Sequence, residues 1–142
     1  DFGIVTDTME CSVNWSNMSK VHADVRAYCK SRPDTICMTH MSHVYPQGAN
    51  LYFIFLIKES DPEAFKHYHA GILSAIQQSG AAMSHHHGIG KMFAPWLEGS
   101  LGKNEYDVLR TLKNHFDPDN IMNPGGTLGF DLKEDQKHYP IR

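Results

Sequence analysis

Long apolar runs are missing from this 142-residue chain: the longest, Leu51 to Ile57, falls far short of the roughly 20 residues a bilayer crossing needs. The N-terminus shows no signal-peptide pattern. Basic clusters are missing too. With Lys and Arg numbering 13 against 16 Asp and Glu, the formal charge is -3, no face offers phosphate-neutralising charge, and no nucleic-acid partner is expected. Cysteine is scarce: Cys11, Cys29 and Cys37 show neither CxxC nor zinc-like spacing, so free, mostly buried thiols in a reducing compartment are expected. Internal repeats and low-complexity segments are absent, and so is an initiator Met at Asp1, so the chain is expected to be a piece of something longer, with a processed product as the alternative.

What is present describes one ordinary globular domain. Hydrophobic residues at 41% and charged residues at 20% are typical values, and a chain of this length buries roughly 70% of its unfolded surface. Ten histidines would turn it cationic at mildly acid pH.

The patterning predicts an extended segment over about 4–13. Asn14, Ser16 and Asn17 offer N-caps, and Met18, Val21, Val25, Tyr28 and Cys29 recur at helical spacing, giving a helix over about 17–31 that ends before Pro33. Ile36 to Tyr45 reads as a strand and Pro46-Gln47-Gly48 as a turn; Asn50 to Lys58 suits a central strand covered on both faces. Ser60 with Glu63 forms a capping-box pattern ahead of a helix whose apolar stripe is Phe65, Tyr68, Ile72, Ala75 and Ile76, stopped by Gly80. Ala81-Ala82-Met83 would be a short strand. The order βαββαβ predicts an α+β, ferredoxin-like fold, an antiparallel sheet with helices on one face. Two C-terminal helices follow, a short one over 92–97 broken near Pro95 and a firmer one over 105–116 with Tyr106, Leu109, Leu112 and Phe116 on one side. Asp117-Pro118-Asp119-Asn120 ends it. The domain is placed at 1–128 and a loosely ordered tail at 129–142.

The chemistry concentrates at Ser84-His85-His86-His87-Gly88-Ile89-Gly90-Lys91. Three imidazoles that can donate, accept or carry charge near neutrality stand against two glycines that let a backbone approach a ligand. Adjacent side chains diverge, and no carboxylate or thiolate stands beside them in sequence, so no metal is assigned; a polar surface loop is the plainer alternative. Tyr45, at a strand end beside a turn, can serve as a general acid or base or can simply cover the core. On a strand, His43 and Tyr45 would face one way and His40 the other. Lys91 could meet an anion such as phosphate or be a solvated lysine. Phe53, Phe55, Trp15 and Trp96 are most simply core.

Together with Pro95-Trp96-Leu97 and Asp117-Pro118-Asp119-Asn120-Ile121, the histidine loop resembles the C-terminal region of the alkyldihydroxyacetonephosphate synthases, within the FAD-linked oxidases of the vanillyl-alcohol-oxidase type. Tyr45-Pro46-Gln47-Gly48-Ala49-Asn50-Leu51-Tyr52-Phe53 is similar to the segment carrying their catalytic tyrosine, and Trp15 fits too. Met122-Asn123-Pro124-Gly125-Gly126 instead resembles the ending of the D-lactate and glycolate oxidases, which carry Gly-Glu-His-Gly where this chain has His85-His86-His87-Gly88.

The resemblance implies a cap, or substrate-binding, domain whose FAD is held mainly by an N-terminal domain outside this sequence, leaving the fragment inactive alone. It implies exchange of the acyl group of acyl-dihydroxyacetone phosphate for a long-chain alcohol; the alternative is an FAD-dependent D-2-hydroxy acid (lactate or glycolate) dehydrogenase or oxidase. Tyr45, His86 and His87 would then be catalytic, His85, Gly88, Gly90 and Asn123 cofactor contacts, and Lys91 and His43 substrate contacts. The partners implied are a small-molecule or lipid substrate and the enzyme's own FAD domain. A homodimer, membrane-surface association and the compartment, cytoplasmic in a bacterium or peroxisomal for a eukaryotic synthase, stay open.

Overall fold

A computed structural model describes residues 2–126 and 128–133. These fall into two compact units, one running to His87 and the other beginning at Gly88.

The first unit follows the predicted order. Strand β1 (Ile4–Asn14) passes through a short 3-10 turn (Trp15–Asn17) into helix α1 (Met18–Ser31), then strands β2 (Ile36–Ser42) and β3 (Gly48–Lys58), then helix α2 (Pro62–Gln78). The sheet runs β1-β3-β2 with both pairings antiparallel. The expected fourth strand survives as one antiparallel bridge, Ser12 to Ala82 on the outer side of β1, which completes the split βαβ order in rudimentary form.

Period-two alternation sorts the side chains. In register across the strands, Met9, Cys11 and Val13 on β1, Leu51, Phe53, Phe55 and Ile57 on β3, and Cys37 on β2 are buried. They share a face with the buried helix positions Val21, Val25 and Cys29 of α1 and Tyr68, Ile72, Leu73 and Ile76 of α2. The opposite face carries Thr8, Glu10, Asn50, Tyr52 and His40. The run of β3 suggested cover on both sides, but Tyr52, Ile54 and Leu56 are only half-buried, so the second face is open.

Local chemistry corrects several boundaries. β2 stops at Ser42 instead of reaching Tyr45, because His43 takes a left-handed φ of 49° that no strand accommodates. The N-cap of α2 is Asp61, one residue past the expected Ser60: Asp61 accepts from the Glu63 amide, while the Glu59 carboxylate takes the amides of Ser60 and Asp61. Asn17 makes no cap bond and donates to the Ser79 carbonyl at 2.8 Å, tying the start of α1 to the end of α2. Gly80 follows with φ 85°, in keeping with the expected stop. All three cysteines are free and buried, as expected.

The second unit contains helix α3 (Gly90–Leu101) and helix α4 (Lys103–Phe116). α3 is one continuous helix through Pro95, not a short one broken there, since the proline forfeits only the bond to the Lys91 carbonyl in the exposed first turn. Its buried positions are Phe93, Ala94, Trp96 and Leu97. On α4 only Tyr106 is buried; the expected apolar side opens to solvent at Leu112 and Phe116. Asp117 terminates α4 by ion-pairing with Lys113 and accepting the amides of Ile121 and Met122. Phe130, placed in the expected tail, packs on Tyr106 at 5.0 Å between ring centroids. The remainder of that tail, 134–142 with Pro140, lies outside the described residues.

Candidate active site

The candidate cluster of the first unit stands on the open face of the sheet, and its foundation is a residue the sequence did not single out. Glu10 lies mid-strand between Met9 and Cys11, fully buried, with its side chain on the face opposite theirs. Its Oε1 accepts four donors: the Ser84 hydroxyl at 2.7 Å and the amides of His85, His86 and His87 at 2.7, 3.0 and 3.0 Å. Burial alone would raise this carboxyl, but the Ser84 hydroxyl and the three loop amides outweigh it and hold the group below its ordinary value. The anion in turn pushes the neighbouring Cys11 thiol, already raised by burial, up to about 12.

A single carboxylate oxygen therefore gathers the backbone of the whole triple-histidine run. The three side chains do not diverge as adjacent residues were expected to: their rings crowd together over the open face, with centroids 5.3 Å apart for His85 and His86 and 4.6 Å apart for His86 and His87. His86 stacks on Tyr52 at 6.2 Å and His87 meets the same ring edge-on at 5.2 Å. Glu10 Oε2, buried and without a hydrogen-bond partner, lies 3.5 Å from His86 Nδ1. The absence of a carboxylate beside the histidines was a property of the sequence only; the fold delivers one from β1.

Tyr45 reaches the cluster from the loop between β2 and β3, not from a strand end. Its Oη lies 2.9 Å from His85 Nε2, and the Nδ1 of His85 faces the Nδ1 of His86 at 3.0 Å. His43 packs its ring 4.8 Å from His85 and 4.9 Å from His86. So His43 and Tyr45 do point the same way, through a left-handed turn and not through strand alternation. His40 stays on the exposed strand surface, in register with Tyr52.

The Tyr45 loop is fixed at three points. The Tyr45 amide donates to the Gly48 carbonyl, the Trp15 amide donates to the Gln47 carbonyl, and the Trp15 indole Nε1 donates to the Tyr45 carbonyl at 3.1 Å. Trp15 is thus a half-exposed clamp and not a core residue. Gly48 is required where it sits, because a Cβ there would stand 2.0 Å from the Val13 carbonyl oxygen. A cavity of about 330 Å³ opens beside Tyr45, lined by Ser12, Asn14, Gln47 and Ala82 among others.

Among the described residues, the group able to hold a cation is His43, His85 and His86, whose ring nitrogens lie within 4.8 Å of one another. The other expected site residues belong to the second unit. Gly88 and Gly90 have left-handed φ values of 80° and 55°, Lys91 is exposed in the first turn of α3, and Asn123 adopts φ 53° in a turn closed by the Gly126 amide.

An imidazole pair linked to a phenol, set on an anionic anchor, can orient a polar substrate and move a proton. The chain is 31% identical over 150 residues to an alkyldihydroxyacetonephosphate synthase of Dictyostelium discoideum, covering 99% of this chain and 24% of the relative. It is 38% identical over 65 residues to the glycolate oxidase subunit GlcD of Bacillus subtilis, covering 46% of this chain and 14% of that protein. A solved alkyldihydroxyacetonephosphate synthase superposes with a TM-score of 0.58 at 25% identity, over 86% of this chain and 21% of its own length. This chain therefore spans about a quarter of the Dictyostelium relative's length. The family model described as FAD linked oxidases, C-terminal domain, matches residues 2–127, and the chain belongs to that family, whose cofactor is FAD.

Proposed function

We propose that this chain is the cap of an enzyme like the alkyldihydroxyacetonephosphate synthases, exchanging the acyl group of acyl-dihydroxyacetone phosphate for a long-chain alcohol. The observation that carries this reading is the 2.9 Å contact of Tyr45 Oη with His85 Nε2, within a loop gathered on Glu10. Tyr45 acts as the general acid and base. His86 and His87 orient the substrate and stabilise negative charge that develops on its oxygen, His43 adds a contact beside them, and His85 positions the phenol.

The donor set suits a flavin and its substrate: hydrogen-bonding rings crowd an open face, with Tyr45, His43, His86 and His87 exposed there. When bound, FAD supplies the electrophilic centre toward which the substrate carbon is held. The chain's own groups bind, orient and move protons at Tyr45 Oη. Gly88, Gly90 and Asn123 toward the flavin, and Lys91 toward the substrate phosphate, are proposed from the resemblance alone.

The likeness to a glycolate oxidase subunit supports a second reading, an FAD-dependent D-2-hydroxy acid dehydrogenase or oxidase, in which the same histidines bind the carboxylate or accept the hydroxyl proton. The complete enzyme, given acyl-dihydroxyacetone phosphate and a labelled fatty alcohol, should exchange the two without net flavin reduction. Bleaching of the flavin by D-lactate or glycolate, with no exchange, would select the second reading. Tyr45→Phe keeps the ring and removes the hydroxyl, and should lower kcat by about 10²- to 10⁴-fold, the usual worth of a positioned acid or base.

A further inference from the structure

Two imidazole nitrogens that face each other at 3.0 Å are held by one proton, so of His85 Nδ1 and His86 Nδ1 one donates and the other accepts. Geometry between the two rings does not choose. Glu10 does: its Oε2 is buried, has no hydrogen-bond partner, and lies 3.5 Å from His86 Nδ1. Four donors on Oε1 keep this carboxyl ionised, and an anionic oxygen in a buried setting repels a bare nitrogen lone pair and attracts an N–H.

We propose that Glu10 is a positioning residue that sets the tautomers of His86 and then His85, so that the Tyr45 hydroxyl proton is left free for the substrate. With the proton on His86 Nδ1, shared toward Glu10 Oε2, His85 Nδ1 must accept. A neutral His85 then carries its own proton on Nε2 and donates it to Tyr45 Oη at 2.9 Å. The phenol oxygen is the acceptor in that contact, and its O–H points away from His85. When Tyr45 gives up that proton, the O–H bond breaks, the proton passes to the substrate oxygen, and the phenolate left behind already receives the His85 Nε2–H. Proton return reverses the same step. The chain of contacts is the same whether His86 is neutral or charged, since Nδ1 bears hydrogen in both forms.

Glu10→Gln tests this sharply. The amide oxygen can keep the four donors gathered at the Oε1 position, which leaves the amide NH2 facing His86 Nδ1 and turns that nitrogen into an acceptor. The relay inverts: His85 Nδ1 donates to His86, and His85 Nε2 accepts the Tyr45 hydroxyl, tying up its proton.

The inference rests on Tyr45 being the proton-transfer group of the proposed function. Its test therefore needs a readout independent of turnover. In the complete enzyme labelled with 15N-histidine, the nitrogen shifts of wild type should show His86 protonated at Nδ1 and His85 at Nε2, and Glu10→Gln should exchange the pattern at both rings. With kcat and KM measured on the same pair, kcat should fall on the order of 10²-fold or more, as it does when a tautomer-fixing carboxylate is replaced by its amide, with KM within about threefold. A wild type with His85 protonated at Nδ1, an unchanged pattern in the variant, or stoichiometric metal on the imidazoles overturns the proposal, and the wild-type measurement decides even if the variant fails to fold. Full turnover by Tyr45→Phe would instead remove the catalytic reading while leaving the tautomer result standing.

Discussion

The Trp15 indole donates to the Tyr45 carbonyl at 3.1 Å, joining the first turn after β1 to the loop that presents the phenol, 30 residues away in sequence. A side chain from another element thereby holds the backbone from which Tyr45 Oη reaches the histidines. Trp15→Phe keeps the aromatic ring and removes the donor. The single lost bond should cost about 1 kcal/mol of stability, read from urea denaturation. Exchange activity of the complete enzyme should fall more than so small a stability loss explains, because misplacing a reacting group by about 1 Å can cost 10²-fold.

Gly48 holds the other end of the same loop. A methyl group at this position would meet the Val13 carbonyl, so Gly48→Ala must spread the β1–β3 pair at its end. A stability loss of about 1–3 kcal/mol is expected, with the thermal midpoint as readout. Val13→Ala is a control that trims a neighbouring side chain without touching the clash.

Glu10 gives the cluster a defined acid limit. Its carboxyl is held below the ordinary value of 4.5, so its contribution to folding is fully present above that value and is lost as pH falls through the lowered one. Comparing stability against pH for wild type and Glu10→Gln, the wild-type curve should fall more steeply below about pH 4.5. Glu10→Ala, which removes the shared acceptor of the Ser84 hydroxyl and three loop amides, should cost about 2–3 kcal/mol at neutral pH.

Cys37 is the thiol to watch. A hydrogen bond from Cys29 chiefly, with Arg26 and Lys30 adding charge against the cost of burial, lowers it to about 7, while Cys29 is pushed up and Cys11 rises to about 12. Iodoacetamide followed by peptide mass spectrometry should label Cys37 first of the three, with the rate rising as pH passes through neutrality.

Much of the fold could be read from the chain because its signals are local. Pro33, Pro62 and Gly80 punctuate helices whose apolar positions recur at helical spacing, and Met9, Cys11 and Val13 alternate with polar neighbours. The errors arose where one residue's backbone or one distant contact decided. His43 ends β2 by adopting φ 49°, which no periodicity announces. Leu112 and Phe116 obey helical spacing yet stand exposed, since spacing identifies a face without supplying something to cover it. Tyr45, His85, His86 and His87 were legible as motif residues, and the structure brings them together with His43. Glu10 was not: it is 74 residues from Ser84, and a lone glutamate in a strand looks like an ordinary solvent-facing position. Its signal was weak but real, a charge placed between two residues of the core-facing row.

The alternation of β1 has one more effect. Glu10 meets the loop amides only when Met9 and Cys11 occupy the core on either side of it. Slipping the strand by one position would turn the carboxylate inward, leave the histidine loop without its acceptor, and scatter the imidazoles. A mispaired molecule of this protein would consequently lack the gathered imidazoles beside Tyr45: on the function proposed above, correct strand pairing comes before any proton transfer, because the sheet must close on the right partners before the histidine cluster exists.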